Sequence, residues 1–254
     1  MTPDPPVLLV SDIDNTLVGS AGGAADLCDW LDHKPNILFC VATGRRLEKA
    51  LPLLRKARLP QPTACITSVG THIHYRSGSG RSTFRPCRNW PHLLAQGWHR
   101  EAVRRRLIDL PGLRPQSASE QTPFKLSYVA PDAPRLARHI AARLSTVELD
   151  ARVVASHRHL LDVLAPNAGK AAAVAFLCRF LGIGREQTIV AGDSGNDLDM
   201  LAAGHRAIIV ANHEPVLARL RGTPGVYFSA RPGALGVLDG VCHHQELADA
   251  RESR

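Results

Sequence analysis

The sequence predicts an α/β fold with a parallel sheet and a smaller inserted α+β unit. Apolar runs at residues 7–10, 37–42, 188–191 and 207–211 do not alternate with polar residues, which is typical of strands buried on both faces of a parallel sheet. Helix-like stretches accompany these runs, as in residues 170–181, where apolar side chains recur at i, i+3, i+4 and i+7. Strands that alternate with helices indicate an α/β core.

The length and composition are those of a folded globular protein. The chain has 254 residues, enough for one large domain or two small ones, and 44% of the residues are apolar and 21% are charged. These values exclude a largely disordered chain, a collagen-like repeat and a coiled coil.

A second unit is predicted in the middle of the chain. Residues 77–80 read Ser-Gly-Ser-Gly, which is typical of a flexible break, and an arginine-rich region follows. We expect a core formed by residues 1–80 and 166–254 and an insert formed by residues 81–165. The insert is predicted to contain a helix over about 92–110, a strand at 124–129, a helix over about 134–144 and strands near 152–155 and 160–164.

The charge balance favours anionic ligands. The formal net charge is +8 and the pI is about 9.6, which bears on partners and solubility rather than on the fold. No aromatic-interleaved basic motif accompanies the charge, so nucleic acid is a weak candidate, and a solvated basic face is the simpler interpretation. Much of the excess comes from Arg81, Arg85, Arg88, Arg100, Arg104, Arg105, Arg106 and Arg114.

Neither the cysteines nor the apolar runs indicate export or a membrane. The six cysteines lie far apart without a C-x-x-C pair, and the first residues lack the basic and apolar regions of a signal peptide. The longest apolar runs, such as residues 37–42, are far too short to cross a bilayer. We therefore expect a reducing, cytoplasmic location and no membrane partner.

The first predicted strand is followed by Asp12-Ile13-Asp14-Asn15-Thr16. In an open α/β sheet, ligands bind outside the carboxyl ends of the strands. The two carboxylates could hold a hard cation, after which one could attack a phosphorus atom while the other handles the proton. The alternative is an Asp- and Asn-rich turn, which is common after strands.

Two further segments could bind phosphate. Thr43-Gly44-Arg45 follows the second strand, where a hydroxyl and nearby backbone N–H groups could donate to phosphate oxygens, although a helix cap is the alternative. Lys170 begins the helix predicted over residues 170–181, where its ammonium could stabilise charge that builds during transfer. The alternative for a lone lysine is a solvated surface position.

The segment from Gly192 to Asp197 is the most specific in the chain. It reads Gly-Asp-Ser-Gly-Asn-Asp, and its glycines allow a tight loop in which Asp193 and Asp197 converge while Asn196 donates an amide hydrogen bond. Oxygen ligands of this kind suit Mg²⁺. A calcium loop is excluded because the third acidic position and the glutamate are missing. Asp199 is interpreted as a solvated helix residue.

These four segments, in this order, resemble the motifs of the haloacid-dehalogenase-like (HAD) phosphatases. The resemblance implies a Rossmann-like core, Mg²⁺ as cofactor and an aspartyl-phosphate intermediate. Because the insert lies between Thr43 and Lys170, it resembles a cap of the C2 type, which usually selects the substrate.

The resemblance also implies a role for each motif residue. Asp12 would be the nucleophile, and Asp14 would protonate the leaving alcohol and later activate water. The implied catalytic residues are thus Asp12, Asp14, Thr43 and Lys170, and the implied metal site comprises Asp12, Asp14, Asp193, Asn196 and Asp197. The implied phosphate-binding residues are Asp12, Asn15, Thr43, Gly44, Arg45 and Lys170.

The resemblance narrows to the sucrose-phosphate phosphatase family, over about residues 8–238. The similar segments are residues 11–19, 42–45, 68–71, 113–117, 120–128 and 191–197, of which those in the insert discriminate most sharply. For Glu120 and Lys125, a strand-edge ion pair is the alternative to sugar binding. The expected substrate contacts are Thr71, Gln116, Glu120, Lys125 and His159.

One segment departs from that family. Residues 156–160 read Ser-His-Arg-His-Leu, where sucrose-phosphate phosphatases tend to carry a small Ser/Gly stretch and then a polar residue. The two histidines and the arginine could strengthen phosphate or hydroxyl binding, or change the sugar preference towards, for instance, mannosylfructose-phosphate. The alternative is an exposed basic turn.

The predicted function is Mg²⁺-dependent hydrolysis of a disaccharide monophosphate, first of all sucrose 6-phosphate, by a monomer through phospho-Asp12. Mannosylfructose-phosphate, glucosylglycerol-phosphate and hexose phosphates are the alternative substrates. A non-catalytic HAD module that docks on a sugar-phosphate synthase through the arginine-rich surface is a different class of function, which the four intact motifs disfavour.

Overall fold

The computed structural model describes residues 5–19, 22–78 and 83–252. Its strands are β1 (Val7–Ser11), β2 (Ile37–Ala42), β3 (Ala64–Thr67), β4 (His72–Ser77), β5 (Thr83–Pro86), β6 (Arg114–Pro115), β7 (Lys125–Val129), β8 (Arg152–Ser156), β9 (Leu160–Leu164), β10 (Thr188–Gly192), β11 (Arg206–Ile209) and β12 (Val226–Phe228). Its α-helices are α1 (Ala24–Asp32), α2 (Leu47–Lys56), α3 (Trp90–Leu94), α4 (Arg100–Leu107), α5 (Ala133–Ser145), α6 (Lys170–Leu181), α7 (Leu198–Leu201) and α8 (Gly233–Glu252).

The strands form two sheets. The larger has eight strands in the order β12-β11-β10-β1-β2-β3-β4-β5, and the smaller has four in the order β6-β7-β9-β8. In the larger sheet, the six strands from β12 to β3 are parallel, which confirms the predicted α/β class. The β4–β5 hairpin, which the sequence did not predict, adds two antiparallel strands at the edge. The smaller sheet is antiparallel throughout.

The hairpin changes where the inserted unit begins. The predicted boundary between residues 80 and 81, like the end of the Ser-Gly-Ser-Gly break, lies outside the described residues. Beyond it, β5 pairs with β4, so the larger sheet continues to Pro86, and the smaller sheet begins only at Arg114. The division into core and insert stays a prediction, with the start of the insert moved beyond Pro86.

The single helix predicted over about residues 92–110 is wrong, because α3 and α4 replace it. Between them Gly97 has a φ of +70°, a left-handed conformation that a continuous helix cannot contain. The next residue, Trp98, donates its indole N–H to the carbonyl oxygen of Pro123 (2.8 Å). The break lets α3 pack on the larger sheet through Trp90, while α4 packs on the smaller sheet through Val103.

Helices cover both faces of the larger sheet but only one face of the smaller. Apolar residues of α1, α2 and α8 pack on one face of the larger sheet, and those of α3, α6 and α7 pack on the other. Helices α4 and α5 cover the smaller sheet by packing on Leu126, Leu161 and Val163. Because side chains alternate along a strand, Lys125 and Asp162 lie on its opposite, polar face. Within the described ranges, no helix has the length and apolar character to span a membrane.

Candidate active site

Three neighbouring strands of the larger sheet end beside one another. Asp193, Asp12 and Thr43 directly follow the carboxyl ends of β10, β1 and β2. The ladder continues through these residues, since Asp12 donates its backbone N–H to the carbonyl oxygen of Ala191 (2.9 Å) and Thr43 donates to that of Ile66 (2.9 Å). The parallel register thus brings residues far apart in the chain to one edge of the sheet.

Three buried carboxylates meet at this edge. Asp12, Asp193 and Asp197 each offer a carboxylate oxygen within 4.8 Å of the others. The hydroxyl of Thr16 donates to Oδ1 of Asp193 (2.7 Å), and the backbone N–H of Asp193 donates to Oδ2 of Asp197 (3.1 Å). A Cβ on Gly192 would lie 2.6 Å from the side chain of Asp197, so only glycine permits this close approach.

Lys170 supplies a positive charge inside the cluster. Its side chain is 0% exposed, and its Nζ donates to Oδ1 of Asp12 (2.7 Å) and to Oδ1 of Asp197 (2.6 Å). Burial alone would lower the pKa of this amine, but the two carboxylates raise the pKa above its usual value. The alternative of a solvated surface lysine is therefore wrong.

The cluster has the electrostatics of a cation site. Burial, reinforced by Asp197 and Asp193, raises the pKa of Asp12 well above its ordinary value although Lys170 acts in the opposite direction. Burial and Asp197 raise the pKa of Asp193 to about 7. Within the described part of the chain, the amide Oδ1 of Asn196 is buried without a hydrogen-bond partner. Three carboxylates against one ammonium, together with this amide oxygen, fit a hard divalent cation with oxygen ligands.

Asp14, predicted as both a metal ligand and the acid/base, lies outside this carboxylate group. Its carboxylate is held by the guanidinium of Arg45 through bonds of 2.7 Å from Nε to Oδ2 and 2.7 Å from Nη2 to Oδ1. The two side chains are 31% and 40% exposed, and both face a cleft above the cluster. An incoming phosphate would therefore compete with Asp14 for Arg45, which was predicted to bind phosphate.

The other predicted phosphate-binding residues of this edge lie at different distances from the surface, Thr43 in the interior and Gly44 and Asn15 at the cleft. Thr43 is fully buried, and its hydroxyl accepts a hydrogen bond from the backbone N–H of Arg45 (3.1 Å). It does not cap α2, because the N-cap of that helix is Arg46. Gly44 and Asn15 line the cleft, and Asn15 has a φ of +59°.

The cleft lies between the edge of the larger sheet and the polar face of the smaller one. Its volume is about 400 Å³, a size typical of small-molecule sites. Asp12, Arg45 and Asn196 line it from the larger sheet. From the other side it is lined by Gln116, Glu120, Lys125, Ser156, His157 and Asp162.

Three of the five predicted substrate contacts, Gln116, Glu120 and Lys125, line the cleft; Thr71 and His159 do not. Thr71 is buried and donates its hydroxyl to the carbonyl oxygen of Ser68 (3.0 Å). His159 is exposed in the turn between β8 and β9, where its Nδ1 lies 2.5 Å from the carbonyl oxygen of His157. Both residues lie outside the lining of this cleft, and their contact with substrate stays a prediction.

Glu120 and Lys125 both form ion pairs, but with different partners. Lys49 of α2 reaches across from the core to the carboxylate of Glu120. Nζ of Lys125 lies 3.2 Å from Oδ1 of Asp162, and these side chains are only 4% and 11% exposed. The hydroxyl of Ser127 also donates to that carboxylate oxygen (2.6 Å). The sequence interpretation missed Asp162, which could have been found because it alternates with the apolar residues of its strand.

The turn that departs from the family reaches the cleft through His157 rather than His159. His157 and Arg158 have φ values of +49° and +60°. The backbone N–H of His157 donates to Oε1 of Glu214 (2.9 Å), and Nδ1 lies 3.4 Å from the same atom. The hydrogen bond to Glu214 raises the pKa of His157.

Asp199, interpreted from the sequence as solvated, instead forms a further contact between α7 and the smaller sheet. Its Oδ2 accepts a hydrogen bond from Nη2 of Arg152, the first residue of β8 (3.0 Å). The same oxygen accepts the backbone N–H of Ala171 (3.3 Å). The solvated interpretation is therefore wrong.

Comparisons with known proteins extend over most of the chain. The family model "Sucrose-6F-phosphate phosphohydrolase" matches residues 5–245. Mannosylfructose-phosphate phosphatase from Agrobacterium fabrum (strain C58) is 33% identical over 242 residues, which cover 93% of this chain and 96% of that protein. A glucosylglycerol-phosphate synthase from Pseudomonas anguilliseptica is 28% identical over 248 residues, which cover 93% of this chain and 30% of the synthase.

Solved structures agree with the family match. The sucrose-phosphatase from Synechocystis sp. PCC6803, determined in complex with sucrose and phosphate, has a TM-score of 0.87 and 28% identity, covering 95% of this chain and 98% of that one. The residues 5–245 that the family model matches include both sheets and all four motif segments, so the predicted resemblance is confirmed. The chain is therefore a phosphoric monoester hydrolase with the HAD fold and belongs to the sucrose-6F-phosphate phosphohydrolase family.

Proposed function

We propose that this enzyme hydrolyses a disaccharide monophosphate, with sucrose 6-phosphate as the favoured substrate, Mg²⁺ as cofactor and Asp12 as nucleophile. The observation that carries the proposal is the contact of buried Lys170 with Asp12 and Asp197 beneath the cleft. The opposite wall of that cleft carries polar side chains that suit a sugar.

The first chemical step begins at Asp12. Lys170 holds Oδ1 of this carboxylate, which leaves Oδ2 to attack phosphorus. The new Oδ2–P bond forms as the bond from phosphorus to the sugar oxygen breaks, and Asp14, which enters this step as the neutral acid, gives its proton to that leaving oxygen. Asp14 lines the cleft. It becomes available for this role when the phosphate group of the substrate replaces it as the hydrogen-bond partner of Arg45.

The second step releases phosphate. Asp14, now deprotonated, takes a proton from a water molecule, whose oxygen attacks phosphorus and breaks the bond to Asp12. Lys170 again bonds the carboxylate that departs, and it keeps its positive charge throughout because its pKa is raised.

Four residues would hold the cation. Asp12, Asp193 and Asp197 provide carboxylates, and Asn196 provides the unpartnered amide oxygen. When bound, Mg²⁺ neutralises charge on the phosphate and so permits a carboxylate to approach phosphorus.

The sugar would bind against the smaller sheet. Asp162 accepts hydrogen bonds and Lys125 donates them, and both are desolvated in a fixed pair at the cleft. A site built to hydrogen-bond hydroxyls rejects ligands that lack them, because its buried polar groups are then left unpaired. Gln116 and Glu120 extend this polar wall.

Mannosylfructose-phosphate is the second candidate substrate. The phosphatase from Agrobacterium fabrum that is named for it is 33% identical to this chain. His157 also places at the cleft a side chain that the resemblance to sucrose-phosphate phosphatases did not lead us to expect. Glucosylglycerol-phosphate and hexose phosphates remain further alternatives.

The test is phosphate release, with and without Mg²⁺, from sucrose 6-phosphate, mannosylfructose-phosphate, glucosylglycerol-phosphate, trehalose 6-phosphate and hexose phosphates, compared as kcat/KM. A preference for sucrose 6-phosphate is expected. Preference for another disaccharide phosphate would replace the substrate and keep the mechanism. Turnover of none of them, or turnover independent of Mg²⁺, would overturn the proposal.

Asp162→Asn should weaken the binding of the sugar phosphate and have little effect on the rate of the chemical steps. The change removes the counter-charge of buried Lys125, and a hydrogen bond to a charged group contributes about 1.5–3 kcal/mol. We expect KM for the best sugar phosphate to rise about 10- to 100-fold with little change in kcat. The small substrate p-nitrophenyl phosphate should be hydrolysed normally, and exposed Asp150→Asn serves as the control. A loss of turnover equal for both substrates would contradict a sugar-binding role.

Three further expectations stay predictions. The protein is expected to be a monomer, and a sugar-phosphate synthase is the alternative partner that the intact motifs disfavour; sedimentation of the protein alone and with such a synthase would test both. A reducing, cytoplasmic location is also proposed, since all six cysteines are unpaired.

A further inference from the structure

Glu214 connects parts of the molecule that come from different units. It follows β11 and precedes a 3-10 helix at Pro215–Leu220. Its backbone N–H donates to the carbonyl oxygen of Asp193 (2.7 Å), which anchors it to the end of β10. Its side chain is 25% exposed. The main chain of Glu214 is therefore bonded to the edge of the larger sheet where Asp12, Asp193 and Asp197 meet.

The two carboxylate oxygens of Glu214 have different backbone partners. Oε2 accepts the N–H of Gly195 (2.8 Å), in the loop that carries Asn196 and Asp197. Oε1 accepts the N–H of His157 (2.9 Å), in the turn between β8 and β9. One side chain thus joins the loop of the candidate cation site to the tip of the smaller sheet.

The same two segments also touch directly. A Cβ placed on Gly195 would lie 2.5 Å from the carbonyl oxygen of Ala155, the residue before the end of β8. The absence of a side chain at Gly195 is what permits this contact. A movement of the β8–β9 tip away from the cleft would open this contact and break the bond from His157 to Glu214.

We propose that Glu214 is a positioning residue that couples closure of the β8–β9 tip to the geometry of the Gly195–Asp197 loop, so that tip closure and divalent-cation affinity are linked. The inference rests on the proposed function only in taking Mg²⁺ as the cation. When the tip docks, Glu214 is held at both ends and restrains the loop that carries Asn196 and Asp197. Linkage is reciprocal, so bound Mg²⁺ must favour the docked tip by the same factor.

Glu214→Gln breaks the link between the backbones of His157 and Gly195 with almost no change in the shape of the side chain. The two backbone N–H groups bond different oxygens of Glu214, and in glutamine one of these oxygens is replaced by an NH₂ group, which donates and cannot accept, so one of the two bonds is lost. We expect the dissociation constant of Mg²⁺, measured by calorimetry on the full chain without substrate, to rise about 5- to 20-fold. In hydrogen exchange, Mg²⁺ should protect the amides of Gly195 and His157 together in the wild type and not in the variant.

His157→Gly is the matched control. Glycine keeps the backbone N–H that bonds Glu214 and adopts the φ of +49° without strain. The variant loses only the contact between Nδ1 of the imidazole and Oε1 of Glu214 and keeps both backbone bonds, so its Mg²⁺ affinity and its joint protection of the two segments should stay closer to those of the wild type than to those of Glu214→Gln. Glu214→Asp, which keeps the charge but is one methylene too short to span both partners, is a second variant should Glu214→Gln fold poorly. Thermal unfolding without Mg²⁺ shows whether each variant is folded.

Each outcome has a distinct meaning. Wild-type Mg²⁺ affinity and joint protection in folded Glu214→Gln or Glu214→Asp would overturn the inference. An equal loss in His157→Gly would overturn it as well, because the imidazole and not the backbone link would then carry the effect. If the wild type shows linked protection by Mg²⁺ but hydrolyses no sugar phosphate, the proposed function fails and the role of Glu214 stands.

Discussion

Asp12→Asn is expected to lose phosphatase activity by about 10⁴-fold or more while keeping the fold. The amide has nearly the shape of the carboxylate but cannot attack phosphorus. Burial already raises the pKa of Asp12, so a neutral side chain is tolerated at this position, and one of three mutually repelling carboxylates is removed. The melting temperature without Mg²⁺ should therefore equal or exceed that of the wild type.

The measurement combines initial rates of phosphate release with thermal unfolding followed by circular dichroism. Asp29→Asn, on the exposed surface of α1, provides the same chemical change away from the cleft and should leave both quantities unaltered. Residual turnover above about 1% in Asp12→Asn would rule out attack by this carboxylate.

Lys170→Met is expected to have the largest effect on stability. The lysine is fully buried and is bonded to Asp12 and Asp197, so methionine leaves two buried carboxylates without their counter-charge. Removing one partner of a buried ion pair costs about 3–5 kcal/mol, which at about 2–4 °C per kcal/mol lowers the melting temperature by roughly 6–20 °C. Activity should fall by at least about 10³-fold, because the charge that holds Asp12 and the departing carboxylate is lost.

Mg²⁺ should restore part of the stability lost in Lys170→Met, because a divalent cation supplies positive charge to the same carboxylates. Thermal unfolding with and without Mg²⁺ measures this recovery. Lys56→Met, at the exposed end of α2, is the control for loss of a lysine charge. A melting temperature like that of the wild type in metal-free Lys170→Met would show that the lysine does not neutralise the cluster.

Periodicity and motif order were enough to predict the α/β class, the strands β1, β2, β10 and β11 of the larger sheet, the strands β7, β8 and β9 of the smaller sheet, and the helices α5 and α6. The predicted bounds of β2, β9 and α6 agree with the structure because each is a run of local pattern with clear ends. The convergence of Asp12, Thr43 and Asp193 was also predictable, since parallel neighbours expose their carboxyl ends at one edge. The burial of Lys170 was not, because a lysine at the start of a helix is usually solvated.

What local sequence could not reveal are pairings between distant segments. The β4–β5 hairpin extends the larger sheet past a Ser-Gly-Ser-Gly break that the sequence alone presented as a boundary. Strand alternation turns Asp162 towards Lys125. The turn between β8 and β9 brings His157 rather than His159 to the cleft, and its conformation is not encoded in a local pattern.

The bond from Glu214 to the backbone of His157 is the clearest case. The two residues are 57 positions apart: His157 lies in a turn of the smaller sheet, and Glu214 follows a strand of the larger sheet. No spacing pattern in the sequence predicts their contact. The motifs were therefore enough to predict the candidate site, because each is a short segment whose residues lie at the end of a strand or at the start of a helix. The docking of the smaller sheet over that chemistry depends on side chains from separate elements, and only the tertiary structure decides which of them meet.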